Sequence, residues 1–96
     1  MNTDTSNHSQ ARFPLGQVVI TPNAQESISM DVVRSKLERH VRGKWGDLCD
    51  EDRQANEDAL ERGSRLLSVY YDGNTKFYII TEADRSSTCI LLPEDY

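Results

Sequence analysis

Few residues of this sequence are suited to acid–base or nucleophilic chemistry. Of its two histidines, only His40 lies in a segment with a regular apolar pattern. A small hydrolase or nuclease-like enzyme would have to combine His40 with carboxylates, for which Asp47, Glu82 and Asp84 are the candidates, and Arg85 lies in the same turn as the last two. The candidate nucleophiles, which occur in no recognisable catalytic motif, are Cys49, Ser87 and Thr88. Catalysis is therefore an alternative hypothesis, and a surface or boundary histidine is the favoured interpretation of His40.

Carboxylate and thiol clusters were considered as metal sites. The acidic run over residues 47–52 offers oxygen ligands, but it lacks the D-x-D-x-D-G frame of a calcium loop. We expect these acids to stabilise the start of a helix through its dipole. Cys49 and Cys89 do not have the spacing of a zinc site, and we expect two reduced thiols. The sequence thus predicts neither a metal nor a cofactor.

Other residues favour a binding role. Trp45, the only tryptophan, stands between Gly43 and Gly46. A large aromatic side chain in such a connection either fills the edge of the core, which is the favoured interpretation, or contacts a partner. The charged turn before the last predicted strand is favoured to form local salt bridges or turn hydrogen bonds, although loops on sheets often bind ligands. The candidate partner-binding residues are Trp45, Asp47, Tyr78, Glu82, Asp84 and Arg85.

The elements that would position these residues begin with one strand and up to three helices. The β-branched run over residues 16–21 predicts a short strand, and Thr21 with Pro22 predicts a brief helical turn after it. Ser29 should cap a longer helix that ends near Gly43. Its apolar stripe is predicted to contain Met30, Val33, Leu37 and Val41.

A further helix is predicted from about Asp50 to Arg62, with Gly63 as its cap. It is acidic, and only Ala55, Ala59 and Leu60 are expected to face inward.

The C-terminal third predicts a three-stranded antiparallel meander over residues 66–71, 76–81 and 88–92. The segment Asp72–Thr75 is a strong hairpin signal, and Pro93 should end the last strand. At least one of Tyr70, Tyr71 and Tyr78 is expected to face away from the helices, where an exposed face would bind protein. The fold class is therefore α+β, with a short N-terminal strand, two to three helices and then the meander.

Length and composition limit the organisation and the function classes. Residues 1–12 are polar and aperiodic and predict a disordered tail, whereas residues 13–96 predict a single domain. A net charge of −5 argues against direct nucleic-acid binding. Because the chain has no run of about 20 apolar residues and no hydrophobic signal core, we expect a cytoplasmic protein without membrane association.

Three blocks of sequence carry a resemblance to a known group of proteins. They are RHVRGKWGDL over residues 39–48, the pattern N-x-x-A-L-x-x-G-x-R-L-L-S-x-Y over residues 56–70, and ITEADRSSTCILLPEDY over residues 80–96. With these blocks, the chain from Phe13 to Tyr96 resembles a group of short bacterial proteins of unknown function that are often found on plasmids and other mobile elements. The resemblance implies a mobile-element setting and assigns no catalytic residue.

The leading hypothesis is a non-catalytic accessory or regulatory protein that binds another macromolecule, with a protein as the first candidate partner. The mobile-element setting suggests inhibition of a host defence system as its role. The alternatives are the enzyme based on His40 and a self-assembling structural protein. A homodimer would be plausible through residues 88–92 if that strand formed an exposed edge.

Overall fold

The computed structural model describes residues 11–96 of the chain. It contains strands β1 (Gln17–Ile20), β2 (Leu66–Asp72), β3 (Thr75–Thr81) and β4 (Ser87–Leu91). They form one sheet in the order β1–β4–β3–β2, in which β2, β3 and β4 are the predicted antiparallel meander. The α+β class is confirmed.

The sheet is mixed, because β1 pairs with β4 in parallel. The sequence did not predict this pairing, which makes β4 an internal strand with β1 on one side and β3 on the other. Residues 88–92 therefore do not form an exposed edge, and the condition on which a homodimer through them depended is not met. Parallel neighbours need a long crossover connection, and the helices lie within the one that leads from β1 to the meander.

Three helices separate β1 from β2, namely α1 (Pro22–Ser27), α2 (Met30–Val41) and α3 (Asp50–Arg62). The hydroxyl of Ser29 caps α2 by accepting a hydrogen bond from the Asp31 amide at 3.2 Å. Gly63 ends α3 with a φ of 74°, a left-handed conformation that glycine adopts at little cost. The helix boundaries agree closely with those predicted.

All three helices contribute to a core on one face of the sheet. Strand residues alternate between the two faces, so those that meet the helices are spaced by two, as with Phe77 and Ile79. The larger cluster joins these strand residues to α1 and α2 and consists of Ala24, Ile28, Val33, Tyr70, Phe77, Ile79, Ile90 and Leu92. A second cluster contains Phe13, Trp45, Ala59 and Leu66.

The inward faces of two helices differ from their predicted patterns. Met30 is 46% exposed at the start of α2, whereas His40 is completely buried. In α3, Ala55 is exposed and the buried residues are Asn56 and Ala59. Two polar side chains thus occupy positions where apolar side chains were expected, and each is held by hydrogen bonds.

Residues 1–10 of the predicted tail lie outside the described residues. Arg12, which the sequence placed in that tail, belongs to the fold. Its amide donates to the Val41 carbonyl at 2.8 Å, and its guanidinium donates two hydrogen bonds to the Glu57 carboxylate. The paired guanidinium lowers the pKa of Glu57, with a further contribution from the Trp45 indole.

Candidate functional site

His40 lies at the centre of a buried chain of hydrogen bonds. Its Nδ1 is 2.5 Å from the Ser68 hydroxyl, and its Nε2 is 2.9 Å from the Thr81 hydroxyl. The Thr81 hydroxyl is 2.7 Å from that of Thr88, which donates to the Leu15 carbonyl at 2.7 Å. The chain therefore connects α2 to three strands and to the segment that precedes β1.

Two hydrogen-bond directions in this chain follow from its last acceptor. Because Thr88 gives its only hydroxyl proton to a carbonyl, Thr81 must donate to Thr88. His40 must then donate from Nε2 to Thr81. In the neutral imidazole, the form that burial favours, Nδ1 accepts from Ser68.

Burial lowers the pKa of His40 to about 3, because the charged ring would lose its hydration. Both ring nitrogens are occupied by hydroxyl groups, and neither contacts a carboxylate. His40 is also completely buried rather than at the surface or boundary, so that interpretation of the sequence is wrong. An inaccessible, neutral and fully hydrogen-bonded imidazole is poorly placed to act as a general base.

Trp45 fills the core and is only 2% exposed. Its indole stacks on Phe13 with ring centroids 6.1 Å apart and lies edge-on to His40 at 5.8 Å. The indole N–H donates to the Glu57 carboxylate at 3.1 Å. This agrees with the favoured interpretation, and the alternative of an exposed partner contact does not describe this arrangement.

Arg85 connects the turn between β3 and β4 to the end of α3. Its guanidinium donates to the carbonyls of Ser64 at 2.5 Å and Ala59 at 3.1 Å, and to two carbonyls of its own turn. A cation at the C-terminal end of a helix is favoured by the helix dipole. Its φ of 62° makes it the only residue other than glycine with a positive φ among those described. The Arg85 guanidinium therefore forms its hydrogen bonds within the protein.

The acidic residues of the same turn have local partners. The Asp84 carboxylate accepts a hydrogen bond from the Ser86 amide at 3.0 Å, and hydrogen bonds from Ser86 lower its pKa. Glu82 forms a salt bridge with Arg65 at 3.5 Å. Both contacts are of the kind favoured from the sequence.

Asp47 belongs to a segment that covers the outer edge of β2. Its amide donates to the Val69 carbonyl at 2.8 Å, and the Val69 amide donates to the Trp45 carbonyl at 3.1 Å. This forms a parallel bridge between Gly46 and Val69. The carboxylate of Asp47 is exposed, so the contribution of this residue to the fold comes from its backbone.

The opposite face of the sheet carries apolar side chains but no helix among the described residues. We call this surface the open face. One row across its four strands consists of Val19, Cys89, Ile80 and Leu67, and a second row consists of Leu91, Tyr78 and Val69. Tyr71 extends the open face beside Lys76. None of these residues belongs to either cluster beneath the helices, although Val69, Ile80 and Leu91 are buried by their neighbours on this face.

The last residues of the chain fold over part of the open face. A 3₁₀ turn at Pro93–Asp95 is held by the Asp95 carboxylate, which accepts from the hydroxyl of Thr21 at 2.6 Å and from the side-chain Nδ2 of Asn23 at 2.8 Å. This brings the ring of Tyr96 edge-on to Tyr78, with centroids 6.0 Å apart. Tyr96 remains 74% exposed, so it lines the open face without closing it.

A groove of about 210 Å³ lies between Tyr96 and the strands. Its floor contains Ile80 and Leu91, and the Arg65–Glu82 salt bridge lies at its rim. Burial raises the pKa of the Cys89 thiol in this groove, and the nearby Asp95 and Glu82 carboxylates add to the effect. Cys89 is therefore a weakly reactive thiol that contributes apolar surface.

A second groove, of about 440 Å³, lies beside α2 and is lined by Leu15, Leu37 and Val41 together with charged side chains. It contains no aromatic side chain. Tyrosine is enriched at protein interfaces, and the open face has three tyrosines, so it is the stronger candidate.

Among residues 11–96, no three side chains capable of binding a metal come together. No helix in that range is both long and apolar enough to cross a bilayer. Cys49 and Cys89 are both free.

No family model matches the chain, and neither curated proteins nor solved structures provided a match.

Of the six candidate residues from the sequence, the structure places only Tyr78 and Glu82 at the open face or its rim. Val19 and Tyr96 were not named, and Tyr71 was named only as one of three tyrosines of which at least one should face away from the helices. For Val19 and Tyr71 the signal was strand alternation, which shows that two residues share a face but not which face the helices cover. Tyr96 lies beyond the last strand and had no such signal. For the buried polar contacts of His40 and Asn56, the only signal in the sequence was the position of each residue on the inward side of its helix. That position does not identify the hydrogen-bond partners.

Proposed function

We propose that this protein is a non-catalytic accessory protein that binds a protein partner through the open face. The proposal is carried by one observation: apolar side chains form two continuous rows on a sheet surface that no described helix covers. Val69, Ile80 and Leu91 are buried by their neighbours in these rows, whereas Val19, Tyr71 and Tyr96 remain exposed and would contact the partner. An apolar surface of this kind on a small protein typically marks an interaction site.

The composition of the open face indicates what kind of partner it would bind. Tyr71, Tyr78 and Tyr96 offer broad rings whose hydroxyl groups can remain hydrated at the rim. Arg65 and Glu82 form a salt bridge beside the groove, and Asp95 adds a second carboxylate to its lining. An apolar partner surface with polar groups around it fits this pattern better than a highly charged one.

The state of His40 favours binding over catalysis. The enzyme hypothesis needed this imidazole beside a carboxylate, whereas its nitrogens bond to Ser68 and Thr81 inside the core. A mobile-element setting and the inhibition of a host defence protein remain predictions, and the identity of the partner would test both.

Two glutamate substitutions at equally exposed apolar residues test the open face. Tyr71, on the open face, is 42% exposed, and Met30, on α2, is 46% exposed. Tyr71→Glu would place a charge on the proposed interface, whereas Met30→Glu is the matched control away from it. Wild-type protein and both variants would be immobilised and used to capture proteins from a lysate of the source organism at physiological salt.

We expect a specific protein to be retained by wild type and by Met30→Glu, and at least tenfold less of it to be retained by Tyr71→Glu. Purified partner and a titration would then confirm direct binding. Equal retention by the two variants, or failure of wild type to retain any specific protein, would contradict the proposal. Circular dichroism of each variant distinguishes a lost interface from a lost fold.

A further inference from the structure

The two edge strands of the sheet, β1 and β2, differ in exposure, and β1 is the more exposed. Val18 and Val19 in this strand are 43% and 41% exposed, and no residue from Gln17 to Ile20 is charged. Exposed edge strands are usually protected by charges, proline, bulges or covering segments, because their free amides and carbonyls can pair with another strand. Between its two ends, β1 has no charge, proline or bulge, and no segment among residues 11–96 covers it.

The other edge, formed by β2, is closed. The Asn56 side chain exchanges hydrogen bonds with the backbone of Leu67, and the segment from Trp45 to Asp47 pairs with Val69. The fold therefore blocks strand addition at β2 and permits it at β1.

The pairing of β1 with β4 determines which of its backbone groups are free. The amides of Gln17 and Thr21 donate to carbonyls of the β4 side, Ser86 and Ile90, each at 3.0 Å. Because backbone groups of a strand point alternately to its two sides, the amides and carbonyls of Val18 and Ile20 point outward. The strand thus offers two residues for pairing, separated by Val19.

We propose that β1 pairs with β1 of a second copy of this chain, antiparallel, across a two-fold axis at Val19. In this register, Val18 of one copy faces Ile20 of the other, so every outward amide and carbonyl gains a partner. Val19 then faces Val19 of the second copy. No charged residues of the two strands oppose each other, and the open-face row that ends at Val19 continues into the second copy.

The ends of β1 permit only this register. Gly16 precedes the strand with a φ of 66°, so the chain is not extended at that point. A side chain at this position would also clash with the Ser86 carbonyl. Pro22 follows the strand, has no amide hydrogen, and begins α1. A shift of two residues would leave outward groups of Val18 or Ile20 unpaired in both copies. In the proposed register, the outward amides and carbonyls of Val18 and Ile20 all form hydrogen bonds with β1 of the second copy.

The predicted dimer is concentration-dependent. Pairing through a four-residue strand buries much less than the roughly 1,600 Å² of a standard interface. We therefore expect a weak dimer that is populated at high protein concentration. This inference rests on the backbone of β1 and does not require the proposed partner, although Val19 belongs to both surfaces.

Cysteine cross-linking tests the axis directly. In a Cys49→Ser, Cys89→Ser background, Val19→Cys should form a disulfide-linked dimer at about 1 mM protein under mild oxidation, a concentration that populates even a weak complex. Residues opposite each other in a non-hydrogen-bonded pair have Cα atoms about 4.5 Å apart, within disulfide range. Replacing Cys89 is necessary because it is paired with Val19 within the sheet.

Val18→Cys in the same background is the matched control. Its exposure is nearly equal, but in the proposed register the two Cα atoms at residue 18 lie about 8 Å apart, beyond disulfide range. We expect at least tenfold less covalent dimer from Val18→Cys than from Val19→Cys. Equal cross-linking of the two variants, or none from Val19→Cys, would overturn the proposal.

Sedimentation of the unmodified chain provides a second measurement. The apparent mass should rise from 10.9 kDa toward twice that value with concentration. Val19→Lys should remain monomeric because it opposes two like charges across the axis, whereas Met30→Lys should behave as wild type. A wild-type chain that stays monomeric at about 1 mM also overturns the proposal. Tyr71→Glu, on β2 at the opposite edge of the sheet, should leave dimerisation unchanged, which distinguishes failure here from failure of partner binding.

Discussion

The carboxamide of Asn56 pairs with the backbone of Leu67 as a neighbouring strand would. Its Nδ2 donates to the Leu67 carbonyl at 2.7 Å, and its Oδ1 accepts from the Leu67 amide at 3.1 Å. A helix side chain thereby satisfies one donor and one acceptor at the outer edge of β2. Asn56, on the inward side of α3, thus caps part of the outer edge of the sheet.

Replacing Asn56 should destabilise the protein. Asn56→Ala would leave the Leu67 amide and carbonyl without partners, and we expect the free energy of unfolding to fall by about 1–3 kcal/mol. Urea denaturation would measure it. Gln54→Ala is the control, because Gln54 is exposed on the same helix and, within residues 11–96, its side chain bonds only to Asp58. A loss no larger than that of the control would show that Asn56 does not stabilise this edge.

The buried His40 should make stability depend on pH between 5 and 7. Its pKa is about 3 in the folded protein and about 6.5 in the unfolded chain, so the unfolded chain binds the proton first as pH falls. The contribution is therefore complete above pH 6.5 and is lost progressively toward pH 3. We expect the free energy of unfolding to decrease by about 2 kcal/mol from pH 7 to pH 5.

The variant His40→Gln provides the comparison for this pH effect. It should be less stable than wild type at pH 7, but its free energy of unfolding should change little from pH 7 to pH 5. Carboxylates with lowered pKa, including Glu57, affect stability only at lower pH. The interpretation would be refuted by an NMR titration in which the His40 ring of the folded protein takes up its proton near pH 6.5.

Two substitutions at Arg85 should distinguish the effect of its left-handed backbone conformation on stability from the effect of its guanidinium hydrogen bonds. Arg85→Ala and Arg85→Gly both remove the hydrogen bonds to Ala59 and Ser64. Glycine tolerates the φ of 62° and alanine does not, so Arg85→Gly should be more stable than Arg85→Ala by about 1 kcal/mol. Thermal or urea denaturation would measure the difference. Equal stabilities would mean that the turn relaxes out of the left-handed conformation.

The fluorescence of Trp45 should be that of a shielded indole. Since it is the only tryptophan and is 2% exposed, its emission should be shifted to short wavelength and should resist quenching by iodide. Unfolding in urea should shift the emission and restore quenching. Quenching of the native protein as efficient as that of the unfolded chain would place Trp45 at the surface.

Local patterns were sufficient to predict most elements of the fold. The Ser29 and Gly63 caps, the Asp72–Thr75 hairpin signal and the strand alternation lie close together in sequence, so they predicted α2, α3 and the meander nearly at their observed bounds. The position of β1 depends on contacts with a strand about seventy residues later, such as Val18 with Thr88, and no local pattern encodes that pairing.

The features of the candidate site also fall into those that local sequence predicted and those that depend on distant contacts. The sequence alone determined that Tyr78 and Ile80 share one side of a strand and that Trp45 suits the edge of a core, because these follow from side-chain alternation and residue type. Only the tertiary structure decided that the helices cover the other side, that His40 is buried among hydroxyl groups, and that β2 is closed while β1 is open. Each of these depends on which distant segments meet, and that is set by the packing of the whole chain.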